Sequence, residues 1–292
     1  MDSAMANATA AASTMSTITA SSASAAIQVD DGIVSSVPAP VPRAWLVLGE
    51  GSAAIHGRVW DSGVFFAEWI AAAAAARATH PRAHAYADWR GRRVVELGAG
   101  CGVAGLAAAK LGAALLLTDL EEALPLLRLN AVANAAGCSF APRVAALSWG
   151  SQSDALLAVT AFGGAPIDLV LCTDVVYAPE LYEPLLQTLR HLTTSAQANQ
   201  VGCGVLMAHR SRHPDEHRPF FDAAAETFAI TVIHGPPLPF LPDTQPSQDS
   251  TFSRAGPTIE TADSAQGAGS TSWSGDIRVI QFIPKAPDPR QA

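Results

Sequence analysis

Paired cysteines, basic charge and long apolar runs are all scarce in this chain of 292 residues. Its four cysteines (Cys101, Cys138, Cys172, Cys203) are scattered, with no Cys-x-x-Cys pair and no histidine at ligand spacing. That pattern argues against a disulfide framework and against a zinc site, so free thiols in a reducing compartment and no metal are expected. The expected location is cytoplasmic, with nucleus or organelle as alternatives. Basic residues number 18 against 26 acidic, a net charge of −8, so no bulk attraction draws the chain to phosphate backbones. A protein or small-molecule partner is favoured over nucleic acid. The alanine run Ala71 to Ala76 lies between Glu68 and Arg77 and is only weakly apolar, so it reads as a helix of a soluble protein and not as a membrane span.

What is present suffices for one well-cored domain: 49% of residues are hydrophobic and the mean hydropathy is +0.21. A monomer is expected. Residues 1–40 are Ala, Ser and Thr with few large apolar side chains, which cannot offset the entropy of ordering, so a disordered tail precedes a domain over 41–292. A transit peptide should carry arginines, and the first basic residue is Arg43. From Arg92 onward, strand-like runs at 93–97, 114–119, 143–148, 168–174 and 202–208 alternate with helical patterns. Two more, near 229–234 and 277–283, follow a helical stretch from about Pro214 to Glu226. The expected fold class is α/β and Rossmann-like: seven strands, mostly parallel, with an antiparallel strand at one edge. A segment rich in Pro, Ser, Gly and Thr, about 236–274, reads as a flexible insertion.

The run Val94-Val95-Glu96-Leu97-Gly98-Ala99-Gly100-Cys101-Gly102 is a strand ending in a glycine turn, followed by a helix from Val103 that stops at Gly112. Glycines there let the backbone approach a ligand and aim free N–H groups at it, so Gly98, Ala99 and Gly100 are candidate cofactor contacts. Glu96 in front suits an ammonium and repels a pyrophosphate. That combination fits S-adenosylmethionine, which carries an amino acid and an adenosine. The next strand ends at Asp119, placed either to accept hydrogen bonds from ribose hydroxyls or to cap the following helix, whose first turn holds Glu121, Glu122 and Pro125. A nicotinamide dehydrogenase shares strand, turn and acid. Against it, Val103 stands where the third glycine of a dinucleotide loop belongs, and Gly105 serves only if the loop is lengthened. Cys101 reads as a small packing residue.

From about Arg58 to Pro284 the chain resembles the seven-β-strand protein-lysine methyltransferases related to those acting on chaperones, elongation factors and calmodulin. The resemblance rests on Val59-Trp60-Asp61, the glycine motif, Thr118-Asp119-Leu120, Asn130 and Asn134, Leu147-Ser148-Trp149, and Thr173-Asp174-Val175-Val176-Tyr177. The glycine motif alone marks only the superfamily; the Asp-x-x-Tyr set with Trp60 and Trp149 is far more specific. It implies the class I methyltransferase fold and S-adenosylmethionine as cofactor. Trp60 would then close over the methionine end, Gly98 to Gly100 cradle it, Asp119 take the ribose and Trp149 lie against the adenine. Thr173 would line the pocket where the family more often has alanine. Trp149 as a core residue, and Asn130 and Asn134 as solvated groups, are the alternatives.

The resemblance also implies a protein substrate, a chaperone or translation factor among the candidates. Asp174 and Tyr177 follow the fourth strand, at the carboxyl edge where open α/β sheets bind ligands. A lysine of pKa about 10.4 is neutral roughly once in a thousand at physiological pH, so the site must favour the free amine. Tyr177 is a candidate to orient it through hydroxyl or ring. An ionised Asp174 attracts an ammonium but opposes its deprotonation, so its expected role is positioning. A plain strand-end turn, with Asp174 capping and Tyr177 packed, is the alternative for this pair. Arg210 and Arg212, with His209 and His213, read either as a surface for an acidic substrate or as a solvated loop. Small-molecule methyltransferase and non-catalytic scaffold remain as further alternatives.

Overall fold

In the computed structural model, the described residues are 26–29, 32–36, 55–76, 86–194, 203–238 and 277–285. Within the stretch read as a tail, strands β1 (Ala26–Val29) and β2 (Gly32–Ser36) pair antiparallel; the remainder of residues 1–40 lies outside the described residues. Helix α1 (Asp61–Ala76) carries the alanine run. Phe66, Trp69 and Ile70 are fully buried, and Ala71 and Ala73 pack inward, where small side chains let α1 lie close on α2 (Val103–Lys110). No helix among the described residues is long and apolar enough to cross a membrane.

The sheet follows the expected strands closely: β3 (Arg93–Leu97), β4 (Ala114–Asp119), β5 (Arg143–Ala146), β6 (Leu169–Thr173), β7 (Gly204–Arg210), β8 (Phe228–His234) and β9 (Ile277–Pro284). Between them run α3 (Leu124–Asn134), α4 (Gln152–Thr160), α5 (Tyr182–Thr194) and α6 (Pro214–Thr227). Strand order is β5-β4-β3-β6-β7-β9-β8, with β9 antiparallel to both of its neighbours and the pairs from β5 to β7 parallel. The reversed strand therefore sits one place in from the edge. Burial explains the order. In β9, Ile277, Val279, Ile280 and Phe282 are buried on both faces, as an interior strand requires. β8 alternates buried Phe228 and Ile230 with exposed Ala229 and is fit for the edge.

The chain steps from β3 outward to β4 and β5, then returns to the other side of β3 to lay down β6. That reversal opens a crevice at the carboxyl ends of β3 and β6, where ligands of open α/β sheets bind. The core lies in two layers, α1 to α3 over one face of the sheet and α4 to α6 over the other. Asp168, just before β6, holds the Arg93 guanidinium at 2.6 Å and its backbone N–H at 2.8 Å, fixing the two strands in register.

The expected insertion begins later than its composition suggests. Leu238 is buried, and the carbonyls of Pro236 and Pro237 accept bonds from the Arg278 guanidinium at 2.8 and 3.3 Å. Residues 239–276 lie outside the described residues.

Candidate active site

Leaving β3, the backbone takes left-handed φ at Gly98 (59°) and Gly100 (53°). Side chains have no room there. A Cβ at Gly98 would sit 3.0 Å from Trp149 Cζ2 and 3.1 Å from Val175 Cγ1, and one at Gly100 would sit 3.3 Å from the His56 carbonyl oxygen. The turn is therefore a floor of bare backbone with an indole beside it. It is closed by the Gly102 N–H donating to the Ala99 carbonyl at 2.7 Å, and Ala99 N–H donates to Thr118 of β4 at 3.0 Å.

Asp119, ending β4, accepts from the Gly100 N–H on Oδ2 and from the Leu120 N–H on Oδ1, both at 2.7 Å. Both alternatives for this residue are thus modified: it ties the glycine turn to β4, and each carboxylate oxygen keeps a further lone pair beside the cavity. Burial raises its pKa above the ordinary carboxylate value, against those two N–H bonds. Glu96 is 1% exposed and accepts the Gly105 N–H of α2 at 2.9 Å on Oε2. Gly105 is a packing glycine inside α2, since a Cβ there would collide with Glu96 Oε2 and Leu117. Burial pushes Glu96 up to about 8, the Gly105 bond opposes this and the Asp119 carboxylate adds to it. Burial therefore favours the protonated form of Glu96 until a cation approaches.

Trp60, Glu96, Gly98, Ala99, Gly100, Asp119, Trp149, Thr173, Asp174 and Tyr177 all line one cavity in the crevice. The structure therefore brings these ten residues together, whereas His209, Arg210 and His213 do not line the cavity. Trp149 is half-buried against Gly98 and 6.3 Å from the Tyr177 ring, so it is a cavity wall. Tyr177 is 48% exposed at the rim, and burial together with the carboxylates of Asp119 and Glu180 keeps its phenol protonated. The Thr173 hydroxyl is buried with no hydrogen-bond partner. Asn130 donates to the Cys101 carbonyl at 3.0 Å and Asn134 to the Asn130 carbonyl at 2.8 Å, so both are buried braces of the glycine turn.

Asp174 adopts φ 51°, a left-handed conformation that no other non-glycine among the described residues takes. Its carboxylate accepts from Ser62 Oγ (2.6 Å), the Arg210 N–H (2.9 Å) and Arg212 Nη2 (3.1 Å). Arg210 itself reaches Asp61 at 2.8 Å. Arg210 and Arg212 thus tie β6, β7 and α1 together while Arg212 and His213 stay exposed, and His209 is buried against His217 at 3.2 Å. Sequence reasoning missed His56, Arg58, Ser62, Leu147 and the wall-forming role of Arg212. Two of them carried a signal: Ser62 follows Trp60-Asp61, and Leu147 opens the Leu147-Ser148-Trp149 run. Among the described residues no group of three His, Cys, Asp or Glu is placed to hold a metal ion.

A family profile described as lysine methyltransferase matches residues 45–227. The chain belongs to the lysine methyltransferase family. Protein N-lysine methyltransferase METTL21A of Danio rerio is 37% identical over 50% of this chain and 62% of its own length. METTL21A of Mus musculus is 32% identical over 68% of this chain and 77% of its own. EEF1A lysine methyltransferase 3 of Mus musculus is 36% identical over 47% of this chain and 51% of its own. The chain thus spans less than two thirds of the Danio rerio protein and about half of the last.

S-adenosylmethionine, the cofactor of this family, suits the residues present. The bare floor at Gly98 and Gly100 leaves room for a close approach, and the free lone pairs of Asp119 match ribose hydroxyls. Trp149 and Leu147 offer an apolar wall for a purine, and Glu96 can regain its charge beside an ammonium. A pyrophosphate would meet two carboxyl groups on the same wall, which disfavours a dinucleotide.

Proposed function

We infer that this protein methylates the ε-amino group of a lysine in another protein. The observation that carries the reading is the meeting of the Asp174–Tyr177 turn with the Asp119 and glycine floor in a single cavity, in a chain of this family. When bound, S-adenosylmethionine supplies an electrophilic methyl group on a sulfonium that departs as a neutral thioether. Gly98, Gly100 and Asp119 fix where that group can lie, and Trp60 and Trp149 exclude water from either end.

The remaining task is to deliver a lysine as free amine. Asp174 draws the ammonium to the mouth. Tyr177, whose phenol keeps its proton, offers an oxygen lone pair to an amine N–H and a ring face beside Trp149, which orients the nitrogen without taking its proton. The proton leaves to water at the open rim before transfer. Half-exposure of Tyr177 makes the mouth an open frame, which favours a side chain presented by a macromolecule over an enclosed small molecule. EEF1A-type translation factors are the first substrates to try, from the relatives' names. We read the protein as a cytoplasmic monomer; four scattered cysteines suit a reducing compartment.

The test is transfer from labelled S-adenosylmethionine into a lysate lacking this enzyme. Label should enter one or a few protein bands and appear as methyl-lysine after hydrolysis. Tyr177→Phe should cut this transfer while sparing cofactor affinity. Label confined to small molecules or nucleic acid would overturn the lysine reading.

A further inference from the structure

The Asp174 carboxylate is 10% exposed and holds three donors. Its Oδ2 carries two donors, Ser62 Oγ at 2.6 Å and Arg212 Nη2 at 3.1 Å, which use both of its lone pairs; Oδ1 takes the Arg210 N–H. A lysine ammonium arriving at this wall finds no vacant place on Oδ2. Ser62 is wholly buried on α1, and the Arg210 N–H belongs to the end of β7. Arg212 is the donor that can leave: it sits on the loop after β7, its side chain is 39% exposed, and its bond is the longest of the three.

The opposite wall repeats the pattern. The Arg212 guanidinium carbon lies 5.5 Å from the Trp60 ring centre, within cation–π range. A nearly buried carboxylate on one side and an indole face on the other form a place built for a cation; Arg58 also lies 5.3 Å from that ring, and Arg212 spans ring and carboxylate.

We propose that Arg212 occupies, in the resting protein, the cation site that the substrate lysine must take, and that the substrate enters by displacing it. This rests on the lysine reading above. The exchange swaps one cation for another at Asp174, so the carboxylate is never left buried and unpaired, a state that would be strongly unfavourable. A partly exposed ion pair contributes little, so the displaced guanidinium swings into solvent at small cost. Arg212 then acts as a specificity filter. An anionic group is repelled from Asp174 and a neutral one leaves its charge unmatched, so a cation replaces Arg212 best.

The test uses n-butylammonium chloride as a stand-in for the lysine side chain, titrated into the whole protein by NMR without cofactor. Arg212→Ala and the milder Arg212→Gln, each shown to be folded by its melting curve, should bind the probe about fivefold or more tightly than the native protein. Adding Asp174→Asn to Arg212→Ala should abolish that gain. Salt gives a second readout that a merely structural role would not move. Binding to Arg212→Ala pairs a cation with an open carboxylate and should weaken as sodium chloride is raised about tenfold. Binding to the native protein exchanges like for like and should weaken distinctly less. Equal affinity of native protein and both variants, or the same salt response, overturns the proposal. Failure of the lysine reading would show separately, as absence of methyl-lysine in the lysate with probe binding unchanged.

Discussion

The Asp119 carboxylate holds the Gly100 N–H at 2.7 Å, so a residue that lines the cavity is also the clasp that closes the glycine turn. Asp119→Ala removes both roles and should weaken S-adenosylmethionine binding at least tenfold, as expected from loss of charge-assisted bonds worth roughly 1.5–3 kcal/mol. Asp119→Asn keeps an oxygen for Gly100 and should recover stability but only part of the affinity. Calorimetry with a melting curve for each variant separates the two roles; unchanged affinity in Asp119→Ala would remove it from the site.

Gly98→Ala is expected to damage the cavity without unfolding the domain. The new methyl meets Trp149 Cζ2 at 3.0 Å and Val175 Cγ1 at 3.1 Å, at a φ of 59° that alanine tolerates poorly. Left-handed backbone costs roughly 1–2 kcal/mol for an L-residue. The indole must move, so cofactor affinity should fall more than the melting temperature indicates. Fluorescence titration with S-adenosylmethionine measures it, and wild-type affinity would show that Trp149 is not a wall of the cofactor site.

Glu96 makes stability depend on pH. Its folded pKa, about 8, lies above the ordinary 4.5, so the folded state holds the proton more tightly than the unfolded chain. This stabilisation is complete below pH 4.5 and is lost as pH rises through 8. Over that interval the loss is on the order of 5 kcal/mol. Glu96→Gln keeps an oxygen for the Gly105 N–H and removes the titration. Denaturant unfolding at several pH values should show a flatter alkaline slope in the variant, whereas parallel curves would place the slope elsewhere.

The long connection between β8 and β9 should be dispensable for stability. His234 pairs with Val279 across the two strands, so the ends of the connection lie side by side. Replacing residues 239–274 by a short Gly/Ser linker, with Pro236, Pro237 and Leu238 retained, should leave melting temperature and cofactor affinity nearly unchanged, because closure entropy varies slowly with length. A replacement reaching back through Leu238 should cost more, since that side chain is buried. A large fall in the first case would show that the segment is structural.

Local pattern alone made much of this protein legible. Strands β3, β4 and β6 are apolar runs bounded by turn residues, and the glycines after β3 mark where backbone must bend sharply, so seven strands and the cofactor floor follow from neighbours in sequence. The Asp174–Tyr177 turn was equally visible as a strand end.

Tertiary structure decided whatever depends on groups brought together from afar. Strand β9 enters beside β7 because both of its faces are apolar and need cover, a comparison between strands that neither one reveals alone. Glu96 favours its protonated form because β3 and α2 bury it together. The basic stretch at 210–212 is engaged by distant carboxylates, since Asp61, 149 positions before Arg210, and Asp174, 38 before Arg212, are brought to it by the fold. Periodicity and turn chemistry act between near neighbours, whereas desolvation and ion pairing act between whatever the fold makes adjacent.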